Sequence, residues 1–303
     1  MSLGKTAIIF PGQGSQYPGM GKTLWDADGD VRDAYRAASG EAGFDIAALS
    51  FEGPASELDR DLNAQLAVYV CNQAFSLYAG KAGIIPDVVT GYSLGFYSAL
   101  VRAGCIGFLD GLRIVRTAGE LCLASPAKGT MGAVIGLDVS EVESICQQAS
   151  ASGGVWVSNI NAARQVLISG GVADVERVIE IAKTSGALYA YRLNMGAAYH
   201  TPLMSEAASL FKDGLSRYNF IAPEIALMSY IESEYIETGA AAADTLGMHL
   251  MTRVPWKDTV QRLLRDGVSR FVEAGPGSAL TRMVRWIDRG VEAVSLDARE
   301  KGE

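Results

Sequence analysis

Two short apolar runs, Thr6 to Phe10 and Val88 to Thr90, each stop at a glycine-bearing loop, the first at Pro11-Gly12 and the second at Gly91. An apolar strand that ends on a glycine turn and hands over to a helix is the repeating unit of an α/β fold, and few other architectures accommodate it. Between the runs, Asn63 to Ala82 carries good helix formers with apolar residues at Leu66, Val70, Ala74 and Leu77, as a helix buried behind a sheet requires. Helical stretches follow from Ser93 to Ala103 and from Phe108 to Ala124. Strands alternating with helices predict a parallel sheet covered on both faces.

From Met131 the rhythm changes. Strand Met131 to Leu137, helix Ser140 to Ser150, strands Val155 to Ile160 and Gln165 to Ser169, helix Ala173 to Ser185 and strand Ala187 to Leu193 follow in the β-α-β-β-α-β order of a ferredoxin-like unit. The earlier pattern resumes with helix Thr201 to Tyr218, strand Phe271 to Glu273 and the Gly275-Pro276-Gly277 turn. The expected organisation is an α/β core made of residues 1–126 and 195–303 and an inserted subdomain over 127–194, with the cleft between them as the natural place for a site. A chain of 303 residues, 49% hydrophobic, can bury a core of that size.

The net charge of -8, with Lys and Arg scattered singly, excludes a general nucleic-acid binder, whose domains show a basic face. Cys71, Cys105, Cys122 and Cys146 have neither the spacing of a zinc site nor a CxxC motif, and they are too few for a disulfide framework. Reduced thiols in a cytoplasm are expected. The apolar stretch Ala7 to Phe10 is too short for a signal peptide, and no apolar run reaches the roughly 18 residues that a membrane span needs.

Gly91-Tyr92-Ser93-Leu94-Gly95 fits the G-x-S-x-G nucleophile elbow in its required place, after an apolar strand and before a helix. The glycines permit a tight turn that exposes the Ser93 hydroxyl, and the helix N-terminus offers unpaired N–H groups to developing negative charge. A serine needs a base, usually histidine, and the chain has two. His200 follows the last strand of the insert, in a loop at the expected cleft, and is the candidate base. His249 lies in Asp244 to Met251, which reads as a helix, and is expected to be a packed or partly solvated helical histidine. Gly12-Gln13-Gly14-Ser15-Gln16 lacks the third glycine of a dinucleotide fingerprint and the Gly-Lys-Ser/Thr of a phosphate loop. It is left as an oxyanion hole built from the N–H groups of Gln13 and Leu94, or as a glycine-rich turn without a chemical role.

Four segments together carry a resemblance: Phe10-Pro11-Gly12-Gln13-Gly14-Ser15-Gln16, the elbow with Tyr97-Ser98-Ala99-Leu100 after it, His200-Thr201-Pro202-Leu203-Met204, and Glu273-Ala274-Gly275-Pro276-Gly277. In this order they resemble the malonyl-CoA:acyl-carrier-protein transacylases and the acyltransferase domains of polyketide synthases. The resemblance implies a hydrolase-like α/β core with a ferredoxin-like insert and a ping-pong reaction. Ser93 would take the acyl group from an acyl-CoA thioester and pass it to the phosphopantetheine thiol of an acyl carrier protein. No tightly bound cofactor, nucleic acid or membrane is implied. His200 would be steadied by a backbone carbonyl at the position of His249, and Asn159 and Asn161 match polar residues facing the family's cleft.

Malonyl-specific members carry a carboxylate-binding arginine where this chain has Ala118. Arg116, about 200° away around the helix, is the nearest substitute, with Glu120 one turn on for a surface ion pair. Tyr92 replaces a histidine, and Ala197-Ala198-Tyr199-His200 matches neither the malonyl nor the methylmalonyl form of its motif; both tyrosines are candidate acyl-pocket residues. Three functions stay open: transfer to a carrier, hydrolysis of carrier-bound acyl groups, and a non-enzymatic scaffold. An uncharged acyl group is a further alternative to malonyl. Carrier docking would need a local basic patch, for which Arg164, Lys183 and Arg192 are candidates.

Overall fold

The computed structural model describes residues 4–150 and 154–297. Among them the strands are β1 (Lys5–Phe10), β2 (Val88–Gly91), β3 (Thr130–Ile135), β4 (Val155–Ala162), β5 (Gln165–Gly170), β6 (Tyr189–Arg192), β7 (Ala226–Met228), β8 (Tyr235–Ile236), β9 (Val268–Glu273) and β10 (Glu292–Ser295). Six of them form one sheet in the order β10-β9-β1-β2-β7-β8, parallel except for β8, which runs antiparallel to β7. Ala7 to Phe10 are all buried, which explains why β1 reads as a continuous apolar run: it lies at the middle of a sheet covered on both faces. The helix Asp61–Lys81 is apolar on nearly every side because it is itself buried in this core.

Phe10 pairs with Gly91 at the ends of β1 and β2. The loop after β1 and the turn after β2 therefore leave the sheet side by side, at the carboxyl end where ligands of open α/β sheets bind.

The other four strands form an antiparallel sheet, β4-β5-β3-β6, and with the helices Val139–Ala149 and Val172–Thr184 they complete the expected β-α-β-β-α-β order. This ferredoxin-like unit has its own apolar cluster, including Val134, Val142, Ile145, Val166, Ile168 and Val178, separate from the main core. A backbone seam joins the two units: Ile160 N donates to Val254 O at 2.8 Å, and Val254 N donates to Ser158 O at 2.8 Å.

Two expected helices are corrected. The stretch 201–218 is a 3-10 turn, Pro202–Met204, followed by a helix over Ser205–Leu215, because Thr201 is extended before the proline. The stretch 244–251 belongs to a helix over Gly239–Met248 that ends at His249. Strands β7, β8 and β10 had no counterpart in the sequence reading. Among the described residues no helix is long and apolar enough to cross a membrane, and no group of three or more side chains is placed to hold a metal ion.

Candidate active site

The elbow is built by exclusion. A Cβ on Gly91 would collide with the backbone of Gly95, and one on Gly95 would collide with the Phe10 carbonyl. Both glycines are therefore demanded by close approach of the backbone, and the turn they allow holds Ser93 at φ 52°, in the left-handed region that a serine seldom adopts. The Ser93 hydroxyl emerges 2.7 Å from His200 Nε2.

His200 is also left-handed, at φ 62°, and its backbone N–H donates to Leu250 O at 2.8 Å. That contact seats the ring against the 249–252 segment. His200 Nδ1 lies 2.9 Å from His249 O and 3.1 Å from Thr252 O. Carbonyls only accept, so the proton sits on Nδ1 and Nε2 presents a lone pair to Ser93. Burial pushes the imidazole down to about 4, partly opposed by those carbonyls, so the ring is neutral across the physiological range.

The loop after β1 closes on the other side of Ser93. A Cβ on Gly12 would lie 2.6 Å from the Tyr92 carbonyl oxygen and 3.6 Å from Leu94 N, so the residue before Gln13 must be small for the loop to reach the elbow. Among the described residues neither the Gln13 nor the Leu94 amide donates to an acceptor of the chain. Gln13 is fixed through its side chain: Nε2 donates to Asp61 Oδ1 at 2.6 Å, and Oε1 accepts from Gln65 Nε2 at 3.0 Å. Gln65 Nε2 also donates to Tyr199 OH at 3.1 Å, and Asp61 Oδ2 accepts from Gly196 N at 2.8 Å. Asp61 thus ties the loop carrying Gln13 to the segment that leads into His200. Burial raises its carboxyl pKa. Sequence reasoning missed Asp61 and Gln65, which belong to no motif and meet Gln13 only after long excursions of the chain.

Gln13, Gln65, Ser93, Leu94, Tyr199 and His200 line a cavity of about 300 Å³. One wall is the helix Phe108–Ala124, which presents Val115, Ala118, Gly119 and Cys122 at the spacing of a single helical face. The lining residues Met131, Leu167 and Leu193 belong to the insert, so the cavity lies at the cleft between the two units. Tyr92, Tyr199 and Asn159 also line it, whereas Asn161 does not. The placement of Asn161 in the acyl pocket is corrected: it stands behind Tyr92, whose hydroxyl donates to Asn161 Oδ1 at 2.8 Å and accepts from Asn159 Nδ2 at 2.8 Å.

Arg116 is corrected as well. Its guanidinium donates to the carbonyls of Glu41 and Ala42, at the end of the helix Gly29–Ala42, instead of pairing with Glu120 or entering the cavity. Two residues of offset from Ala118 turn it to the opposite side of its helix. His249 is not solvated: Nε2 lies 2.7 Å from Tyr97 OH and Nδ1 2.9 Å from Tyr230 OH. Burial, with His200 nearby, holds its pKa well below the usual histidine range. Arg164, Lys183 and Arg192 are half-exposed on the insert, each in an ion pair, with Asp138, Glu180 and Glu176 respectively.

The acyl transferase domain family model matches residues 7–295. The malonyl CoA-acyl carrier protein transacylase of Bacillus subtilis strain 168 is 32% identical over 301 residues, covering 98% of this chain and 95% of the relative. Among solved structures, the acyl-carrier-protein S-malonyltransferase of Burkholderia pseudomallei superposes with a TM-score of 0.89 at 37% identity over 96% of each chain. A malonyl-transacylase solved in complex with a type II polyketide synthase acyl-carrier protein gives 0.92 at 31% identity over 97% of this chain and 96% of the other.

Proposed function

The chain belongs to the acyl transferase domain family and is an acyltransferase, and on that premise we propose that it moves an acyl group from coenzyme A to the phosphopantetheine thiol of an acyl carrier protein through an ester on Ser93. The observation that carries this reading is the 2.7 Å contact from Ser93 Oγ to His200 Nε2, with Nδ1 committed to two carbonyls. The relatives' names give malonyl-CoA as donor and an acyl carrier protein as acceptor. Fatty acid or polyketide biosynthesis in a cytoplasm is the setting we infer, in keeping with four buried free cysteines. We also place the boundaries of the insert at 127 and 194.

In the first half-reaction Ser93 Oγ attacks the thioester carbonyl as His200 Nε2 takes its proton. The carbonyl oxygen becomes an oxyanion within reach of the Gln13 and Leu94 amides, which have no competing acceptor in the chain. The tetrahedral species collapses by breaking the C–S bond, and His200 returns the proton to the departing CoA sulfur. In the second half the carrier thiol gives its proton to His200 and attacks the ester, and Ser93 leaves with that proton. The imidazolium formed at each step is stabilised by the His249 and Thr252 carbonyls. Acyl transfer between thiols moves no electrons to or from the enzyme and calls for no bound cofactor.

Intact-protein mass spectrometry tests the reading. Mixing with acyl-CoA should add one acyl mass to the protein and none to Ser93→Ala, and addition of phosphopantetheinylated carrier should move that mass to the carrier. An adduct that decays to free acid at the same rate with or without carrier would replace transfer with hydrolysis. Equal labelling of the Ser93→Ala variant would remove the acyl-serine altogether.

A further inference from the structure

We propose that the acyl group carried by Ser93 is uncharged at its far end, so that a hydrocarbon acyl chain is accepted and a carboxylated one such as malonyl is rejected; this rests on the acyl-serine reading above. No lysine or arginine lines the cavity among the described residues. The helix Phe108–Ala124 presents Val115, Ala118, Gly119 and Cys122 to it, an apolar face along two turns, and the insert supplies Met131, Leu167 and Leu193. The Cys122 thiol adds no charge, since burial pushes it up to about 12.

What charge the site does hold has the wrong sign for a carboxylate. Asp59 lines the cavity, and Asp61 lies directly behind Gln13. The two histidines cannot act as resident cations, because both are buried and neutral and one must stay so to accept the Ser93 proton. The neutral donors left to the cavity carry no charge: the Asn194 amide and the Tyr199 hydroxyl line it. Gln65 spends both hydrogens of Nε2 on Gln13 Oε1 and Tyr199 OH, and Gln13 Nε2 is held by Asp61. Arg116, two residues from Ala118, is turned away from the cavity and spent on two carbonyls. A carboxylate entering here would lose its water without gaining a cationic partner, whereas an alkyl chain would trade water for apolar contact.

The test is single-turnover acylation of the wild-type protein, followed by intact mass, with acetyl-, butyryl- and hexanoyl-CoA against malonyl- and methylmalonyl-CoA. Acylation by at least one uncharged donor should exceed that by malonyl-CoA on the order of 100-fold or more. Malonyl-CoA equal to or faster than every uncharged donor overturns the proposal while leaving the acyl-serine reading intact. No adduct from any donor overturns both. Ala118→Arg, which sets a guanidinium on the apolar wall, should invert the order; an unchanged order in the folded variant would show that the missing charge does not set the preference.

Discussion

His200, the base proposed for Ser93, has no carboxylate behind it, and its surroundings say how it would work. Two carbonyls, those of His249 and Thr252, fix the tautomer, and burial pushes the ring down to about 4. A depressed pKa keeps the base form populated as the pH falls: the proton that would silence Nε2 is taken up only near 4, not near the 6.5 of a free imidazole. The rate of Ser93 acylation should therefore be flat from neutrality down to about pH 5 and fall through about 4, read by quenched single-turnover assays. A break at 6.5 would mean that water reaches the ring. Ser93, His200 and Gln13 were legible in the sequence because each sits in a short motif whose chemistry is local. Arg116 was misplaced because helix phase alone cannot say what else a guanidinium finds; the carbonyls of Glu41 and Ala42 lie about 75 residues away in the chain.

Among the elements, the helix Ala279–Ile287 is capped in an unusual way. Glu273, the last residue of β9, receives Leu280 N on Oε1 at 3.1 Å and Thr281 N on Oε2 at 2.7 Å, so a buried carboxyl fills the role of an N-cap. Burial outweighs those bonds and raises its pKa to about 7. A carboxyl whose folded pKa is raised contributes stability that is complete below its unfolded value near 4.5 and is lost as pH rises through about 7, on the order of 3 kcal/mol in all. Urea unfolding of the wild type and Glu273→Gln at pH 5 and pH 8 should show the wild type losing about 2 kcal/mol relative to the variant. Parallel pH profiles would refute the assignment. The sequence displayed this segment only as a glycine-proline turn. The long elements were readable from their period, as the helix Phe108–Ala124 was. The two- and three-residue strands β8 and β7 were not, because so short a run has no period and is defined by its pairing partner alone.

At the scale of the whole molecule, the insert is bonded to the segment that carries the carbonyl partners of His200. Val254, paired to β4 through Ser158 and Ile160, lies two residues beyond Thr252, whose carbonyl receives His200 Nδ1. On the elbow side the Tyr92 hydroxyl binds Asn159 and Asn161 of the same strand, so β4 is tied at once to the nucleophile turn and to the base-orienting segment. Tyr92→Phe removes the hydroxyl but not the ring, and leaves Asn159 Nδ2 and Asn161 Oδ1 buried without that partner, a cost of about 1–3 kcal/mol. Ile168→Val, on β5 within the insert's own core, should cost about 0.5–1.5 kcal/mol without touching the seam. If the bond between the elbow and β4 helps set the geometry of the site, Tyr92→Phe should slow acylation at saturating acyl-CoA by about tenfold, a rise of about 1.4 kcal/mol in the barrier, while Ile168→Val leaves the rate unchanged. If the loss of rate instead follows the loss of stability in both variants, the insert serves only as a wall of the cavity, and its bond to the Tyr92 hydroxyl has no part in setting the site.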